Sequence, residues 1–299
     1  MKTRNIITII SIIFAMVSCS TENDILNDMN TNNSANATVE DAVISCSINN
    51  VATKALDNTD EATIKNACFF LLDAKGDVLG YRTGKETVTF KTKKEEGMKV
   101  LAVANISDAT MATLSTLASK AAIKAVVLNA NDLNELPKMG EATATTNTEI
   151  TVNQIAARID LQKVTVNSLT NANSVTLTKV ELVNQVNQIK LNESEAHVNS
   201  ELVNAGIGVT ELPAEDTATL YTFANNGADA TALRLTFTTD GGKVLTTDVT
   251  IKHDGAVKVV AGYNYKLNIS VNITGNNIDP TVTFTVADWN DSSFSVDMK

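Results

Sequence analysis

The sequence predicts a mainly β protein, two tandem antiparallel β-sandwich domains with one helix laid over the first. Three observations lead there. Val, Thr, Ile, Ala, Leu and Asn dominate the chain, while aromatic residues are 4% and Gly and Pro number 13 and 3. β-Branched side chains suit a pleated surface, and Asn and Asp suit its turns. Short apolar runs with period-two alternation recur between turn signals, and a single Ala-rich segment changes to helical spacing.

The first residues form a secretory signal. Lys2 and Arg4 give a positive end, Ile6 to Val17 is nearly unbroken apolar sequence, and the small Ser18 leads into Cys19. A run of about a dozen residues is too short to cross a bilayer core of roughly 30 Å as a helix, so residues 1–18 read as a cleaved signal peptide. Met16-Val17-Ser18-Cys19 resembles the lipobox of bacterial lipoproteins, although it lacks the leucine usual three residues before the cysteine. That resemblance makes Cys19 the lipid attachment site and first mature residue, with enough acyl CH₂ groups for durable anchoring. The acidic Ser20-Thr21-Glu22-Asn23-Asp24 resembles the tag that exports lipoproteins of Bacteroidales-type bacteria to the outer face of the outer membrane. Residues 19–40 read as a flexible tether poor in large apolar side chains.

Ordered sequence begins at Ala42. Ile44, Cys46 and Ile48 alternate with Ser45 and Ser47, a half-buried strand, and a polar stretch from Asn49 to Thr63 follows, containing Lys54. Ala67 to Leu72 is apolar on both faces and reads as a central strand, turned by Asp73-Ala74-Lys75-Gly76-Asp77 into Val78 to Tyr81. Val88 to Phe90 and Met98 to Ala104 are further strands, with Lys93-Lys94-Glu95-Glu96-Gly97 expected as a solvated hairpin tip. From Asp108 to Asn129, Met111, Leu114, Leu117, Ala121 and Val126 follow helical spacing, with Asp108 or Thr110 as N-cap. Leu136 to Gly140 breaks that pattern and Glu141 to Thr148 reads as a link. The domains are therefore set at 41–148 and 149–299. The second holds strands at Ile150 to Leu161, Val175 to Val183, Leu220 to Phe223, Leu233 to Thr238, Val244 to Ile251, Tyr265 to Ile273, Val282 to Val286 and Phe294 to Val296. Asp240-Gly241-Gly242 and Asp254-Gly255 mark its tight turns, and Asn192 to Pro213 is an irregular insertion.

The charge excludes one class of partner. Removing residues 1–18 leaves 22 basic residues against all 34 acidic ones, a net of about −12. Without a basic patch the chain is not a nucleic-acid binder. No nucleophile elbow, zinc-protease helix, phosphate loop or dinucleotide fingerprint is present, so no catalytic, cofactor-binding or metal residue is assigned, and the protein does not read as an enzyme. Asp288, Asn290 and Asp291 around Trp289 read as acidic turn residues in preference to calcium ligands. His197 and His253 read as lone surface histidines. Cys46 and Cys68 either pair or lie buried separately. Asp216-Thr217-Ala218 resembles a short acceptor pattern for O-linked glycans, making Thr217 a candidate site.

From Ala42 onward the order of features resembles the fimbrillin family, subunits of type V pili. Thr53-Lys54-Ala55 is similar to the family's Thr-Arg-Ala. Phe69-Phe70-Leu71-Leu72-Asp73 and Val103-Ala104-Asn105 follow, and Leu136-Pro137-Lys138-Met139-Gly140 looks like the family's Pro-Met-Ser-Gly with an inserted lysine. Ala156-Ala157-Arg158-Ile159, Ala261-Gly262-Tyr263-Asn264-Tyr265-Lys266-Leu267 and Val286-Ala287-Asp288-Trp289 complete the series. The resemblance implies transthyretin-like sandwiches and a lipid-anchored precursor cut by a trypsin-like protease after the first strand. The cut maps to Lys54–Ala55, with lysine in place of the usual arginine, and Arg158 is a fallback inside a strand. It further implies donor-strand exchange, in which a C-terminal strand of an identical or homologous subunit fills the vacated groove. Phe294 and Val296 are the candidate donor face, the alternative being that they only complete their own domain. The expected place is the outer membrane surface and then an extracellular fimbria. A pilus anchor, a tip, or a glycan- or nutrient-binding lipoprotein remains the alternative.

Overall fold

Alternation along β1 (Asp41–Asn49) buries Ile44, Cys46 and Ile48 and turns Val43 and Ser45 outward. The computed structural model describes residues 41–49, 59–170, 172–186, 188–191, 202–203, 217–226, 229–274 and 277–288. A single helical turn, α1 (Thr59–Ala62), precedes β2 (Ala67–Leu72), whose six residues are all buried, as a central strand demands. Then come β3 (Val78–Gly84), β4 (Thr87–Lys93) and β5 (Lys99–Ala104). After α2 (Asp108–Leu114), α3 (Lys120–Lys124) and β6 (Val127–Asn129), a 3-10 turn spans Ala130–Glu135. β7 (Lys138–Thr143), β8 (Asn147–Thr151) and β9 (Asn153–Gln154) close this half.

Two sheets face each other here. One has the order β4-β1-β8 and the other β3-β2-β5-β7-β9. Between them lie Ile44, Cys46, Ile48, Phe90 and Ile150 from the first sheet and Ala67, Phe69, Leu71, Val100 and Ala102 from the second. The opposite face of the five-stranded sheet carries Cys68, Phe70, Leu72, Leu101 and Val103, covered by Leu114, Ile123, Leu128 and Leu133. Side chains of consecutive strand residues point to opposite faces, so β2 feeds two cores at once.

The remainder contains β10 (Ala156–Thr170), β11 (Val175–Val183), β12 (Gln185–Val186), β13 (Gln188–Lys190), β14 (Leu202–Val203), β15 (Ala218–Phe223), β16 (Ala232–Thr239) and β17 (Val244–Thr250). A small hairpin pairs β18 (Lys252–His253) with β19 (Ala256–Val257), and β20 (Tyr263–Thr274) and β21 (Asn277–Asp288) follow. The sheets β15-β10-β20-β21 and β11-β16-β17 enclose a core of Ile159, Leu161, Leu182, Leu235, Phe237, Tyr265, Leu267 and Ile269. The expected mainly β class is what the chain forms.

Several local expectations are corrected. The single helix over 108–129 is two short helices, N-capped by Ser107 and Ser119 in place of Asp108 or Thr110. The break has a cause: Ala118 accepts from the Val78 amide and Lys120 donates to the Gly76 carbonyl, so the β2–β3 turn takes backbone groups a continuous helix would use. Ile123 is buried, whereas Ala121 is exposed. The charged tip at residues 93–97 is not a hairpin end, because β4 and β5 belong to different sheets. Most of 141–148, read as a link, is strand, and β8 pairs in parallel with β1. The expected strand from Ile150 to Leu161 is divided among β8, β9 and β10. His253 is buried, not superficial. Its Nδ1 lies 3.2 Å from the Tyr265 hydroxyl, which also accepts from the Val260 amide at 2.8 Å.

Candidate functional site

β1 occupies a slot between two strands. It runs antiparallel to β4, with Ile44 opposite Phe90 and Cys46 opposite Val88, and parallel to β8, with Ile48 opposite Ile150. The Ser45 amide donates to Thr146 at 2.9 Å and the Ile48 amide to Glu86 at 2.8 Å. An exposed Lys93–Asp41 ion pair at 2.8 Å adds little at its outer end. Strands in a sheet lie about 4.7–4.9 Å apart, so without β1 its neighbours would face each other across roughly 9–10 Å. The floor of that slot would be apolar and both walls would carry unpaired backbone groups. Only another strand satisfies both conditions.

A buried charge cluster is centred on Glu61 in α1. Its side chain is 1% exposed and lies 2.9 Å from the Arg158 guanidinium, and its other carboxylate oxygen accepts from the Tyr221 hydroxyl. Arg158 Nε also contacts Asp160 at 2.8 Å, and Asp160 accepts from the Thr219 hydroxyl at 2.9 Å. The Glu61 carbonyl accepts from Lys138 Nζ and from Gln154 Nε2. Burial lowers the Lys138 ammonium to about 8 against the pull of Glu61. Burial and the bond to Glu61 push the Tyr221 phenol up. Burial works against the Arg158 charge, but Asp160 and Glu61 outweigh it and hold its pKa above the ordinary value. Register explains the convergence, since Arg158 and Tyr221 are directly opposed on β10 and β15.

The other candidate residues are dispersed. Cys19, Lys54, Ala55, Phe294 and Val296 lie outside the described residues, as do His197, Asp216, Trp289, Asn290 and Asp291. Thr217 is half-buried just before β15. Arg158 is 7% exposed within β10 and ion-paired, a poor protease target. Cys46 and Cys68 are both free and buried, and burial raises each thiol to about 11, with the Tyr81 hydroxyl lowering Cys68 in part. Among the described residues no group of three or more metal-ligating His, Cys, Asp or Glu side chains forms.

The model of the Mfa2 family, described as fimbrillin-A associated anchor proteins Mfa1 and Mfa2, matches residues 44–292. The chain belongs to this family. No curated protein sequence matches it. Among solved structures the Mfa2-family chain is similar to a fimbrilin (fimA) from Porphyromonas gingivalis W83, at 16% identity and a TM-score of 0.63, covering 83% of this chain and 97% of that one. It is also similar to the C-terminally truncated tip fimbrial protein Mfa3 from Porphyromonas gingivalis, at 14% identity and 0.56, covering 84% and 100%. A fimbrial assembly protein from Parabacteroides distasonis ATCC 8503 follows at 15% and 0.55, covering 83% and 99%. At these identities the likeness is one of fold.

Sequence reasoning missed the charge cluster of this Mfa2-family chain. Arg158 and Asp160 did carry a signal, being opposite charges two residues apart among Ala157, Ile159 and Leu161, hence on one face of an apolar strand. Lys138 carried a weaker one as a lone charge within Leu136-Pro137-Lys138-Met139. Glu61 carried none, because a polar stretch gives no hint that one carboxylate turns inward.

Proposed function

We propose that this chain is a structural subunit of a surface fimbria, exported as a lipoprotein through Cys19 and assembled by exchange of β1 for a strand of another subunit. The family, described as fimbrillin-A associated anchor proteins, supports a structural role at a pilus. The observation carrying the finer reading is the position of β1: a central strand with three alternating buried residues, followed at once by residues 50–58, which include Lys54. A trypsin-like protease cutting Lys54–Ala55 leaves β1 held only by its ladder and the burial of Ile44, Cys46 and Ile48. Full burial of a large aliphatic side chain is worth roughly 1.5–3 kcal/mol, so an incoming strand with equivalent residues recovers what is lost. The C-terminal segment with Phe294 and Val296 supplies such alternation. Free cysteines support the reading, since a Cys46–Cys68 bond would tether the severed strand.

A second reading is favoured by the family's own description as anchor proteins. An anchor keeps its lipid and β1 and offers only its other end to the pilus. Intact mass and N-terminal sequencing, before and after limited trypsin, with electrophoresis of unboiled samples, separates the two. Loss of the segment before Ala55 with a ladder of stable oligomers establishes the exchanging subunit. A chain that resists the cut, or is cut and stays monomeric, refutes exchange and leaves the anchor.

A further inference from the structure

We propose that the Glu61 cluster is a clip that holds residues 59–66 in place independently of β1, so that the groove keeps its shape when the strand leaves. The functional setting rests on the strand-exchange reading, but the clip itself is a property of the uncut chain.

Residues 59–66 join the segment after β1 to the central strand β2. Four helical residues are far below the length at which a helix holds itself, so α1 persists through its attachments. Glu61 supplies one set. Its carboxylate meets Arg158 and Tyr221, and its carbonyl meets Lys138 and Gln154. These partners belong to β10, β15, β7 and β9, and none to β1 or to the two strands that flank it.

The second set grips the residues on either side of Ile64. Asn105 accepts from the Lys65 amide at 2.8 Å and donates to the Thr63 carbonyl at 2.8 Å. Asn66 donates to the Ile106 carbonyl at 2.9 Å, and its Oδ1 accepts from the Ile106 amide at 3.1 Å. Asn105 has a φ of 55°, a left-handed conformation asparagine tolerates, which turns its side chain back on this segment. Ile64 itself is 1% exposed, in the same core as Ile44, Cys46 and Ile48. Ile64 thus shares the core a replacement strand would enter, and these hydrogen bonds, which hold its neighbours, are made to β7, β9, β10, β15 and the residues just after β5, not to β1. Burying Glu61 is tolerable because opposed charge and hydrogen bonds satisfy it, and removing a partner leaves an uncompensated charge. Glu61 is therefore a positioning residue.

Amide hydrogen exchange on the full uncut chain tests the clip from both directions. Glu61→Gln and the milder Tyr221→Phe are expected to speed exchange of residues 62–66 by tenfold or more, with β1 and β16 amides within threefold of wild type. Ile44→Asp, which evicts β1, is expected to speed exchange of residues 41–49 while residues 62–66 stay within threefold. Equal acceleration of both segments in either experiment overturns the proposal, as does unchanged exchange at 62–66 in Tyr221→Phe. Limited trypsin then addresses the functional reading separately. If the clip variants behave as expected and wild type is never cut at Lys54, the clip stands and strand removal fails.

Discussion

Cys46 and Cys68 face different cores across a single sheet: Cys46 packs against the side of β2 that carries Phe69 and Leu71, Cys68 against the side that carries Phe70 and Leu72. A disulfide needs Cβ atoms about 3.5–4.5 Å apart and pointing together, which a sheet between them forbids. The strand that carries Cys46 is therefore joined to the rest by noncovalent contacts and by residues 50–58.

The thiols should be inert in the native state. With each raised to about 11, roughly one in a thousand is thiolate at pH 8. Titration with an aromatic disulfide reagent is expected to find neither Cys46 nor Cys68 in folded protein and both in denaturant. Non-reducing peptide mapping that recovers a Cys46–Cys68 peptide would contradict the structure.

Substitutions along β1 should obey its alternation. Ile44→Ala empties a buried position and is expected to cost about 2–5 kcal/mol. Ser45→Ala, on the exposed side, is expected to change stability by no more than about 0.5 kcal/mol. Urea unfolding followed by circular dichroism distinguishes them, and equal effects would mean β1 does not bury this face.

Lys138 gives stability a pH dependence of defined sign. Its folded pKa, about 8, lies below the ordinary 10.5, so between these values the unfolded chain holds more protons. Stability from this residue therefore rises with pH through that interval, and the full penalty of burying the ammonium applies below pH 8. Wild type is expected to gain about 1–3 kcal/mol relative to Lys138→Met between pH 7.5 and 10. Above about pH 10 the raised phenol of Tyr221 acts in the opposite direction, as unfolding then releases its proton. Urea midpoints that stay parallel across that range would remove Lys138 as the cause.

Gly140 marks a close approach of backbones. A Cβ added there would lie 2.0 Å from the Thr151 carbonyl oxygen and 3.0 Å from the Val152 Cα. Backbone cannot step aside as a flexible side chain does, so Gly140→Ala is expected to lose about 3 kcal/mol or more. A thermal midpoint within a degree or two of wild type would show that β7 and β8 separate freely here.

Periodicity was a sound guide where one segment carried the whole signal. β1, β2 and β11 stand close to where alternation or a continuous apolar run put them, and Val175–Val183 agrees at both ends. The turn at Asp73 and the one at Asp240 to Gly242 were legible because each is closed by hydrogen bonds a few residues apart, although both also bond distant segments, Asp240 to Asn173 and Ser174 and the first turn to residues 118–120. The interruption of the helical segment at 118–120 is invisible to local spacing because it comes from the β2–β3 turn, some forty residues earlier. The burial of His253 is equally invisible locally: its partner Tyr265 is twelve residues on, and burial is a property of the assembled core.

By itself the sequence determined the β class, the alternating face of β1, the helical patch and the resemblance to fimbrillins, all carried by side-chain chemistry at short spacing. Tertiary structure alone decided that β1 is the central strand of its sheet, that the two thiols are held apart, and that Glu61, Lys138, Arg158 and Tyr221 converge on one buried point. Those outcomes depend on which strands become neighbours. Strand order is set by the summed burial and hydrogen bonding of distant segments, and no local spacing in the chain records it.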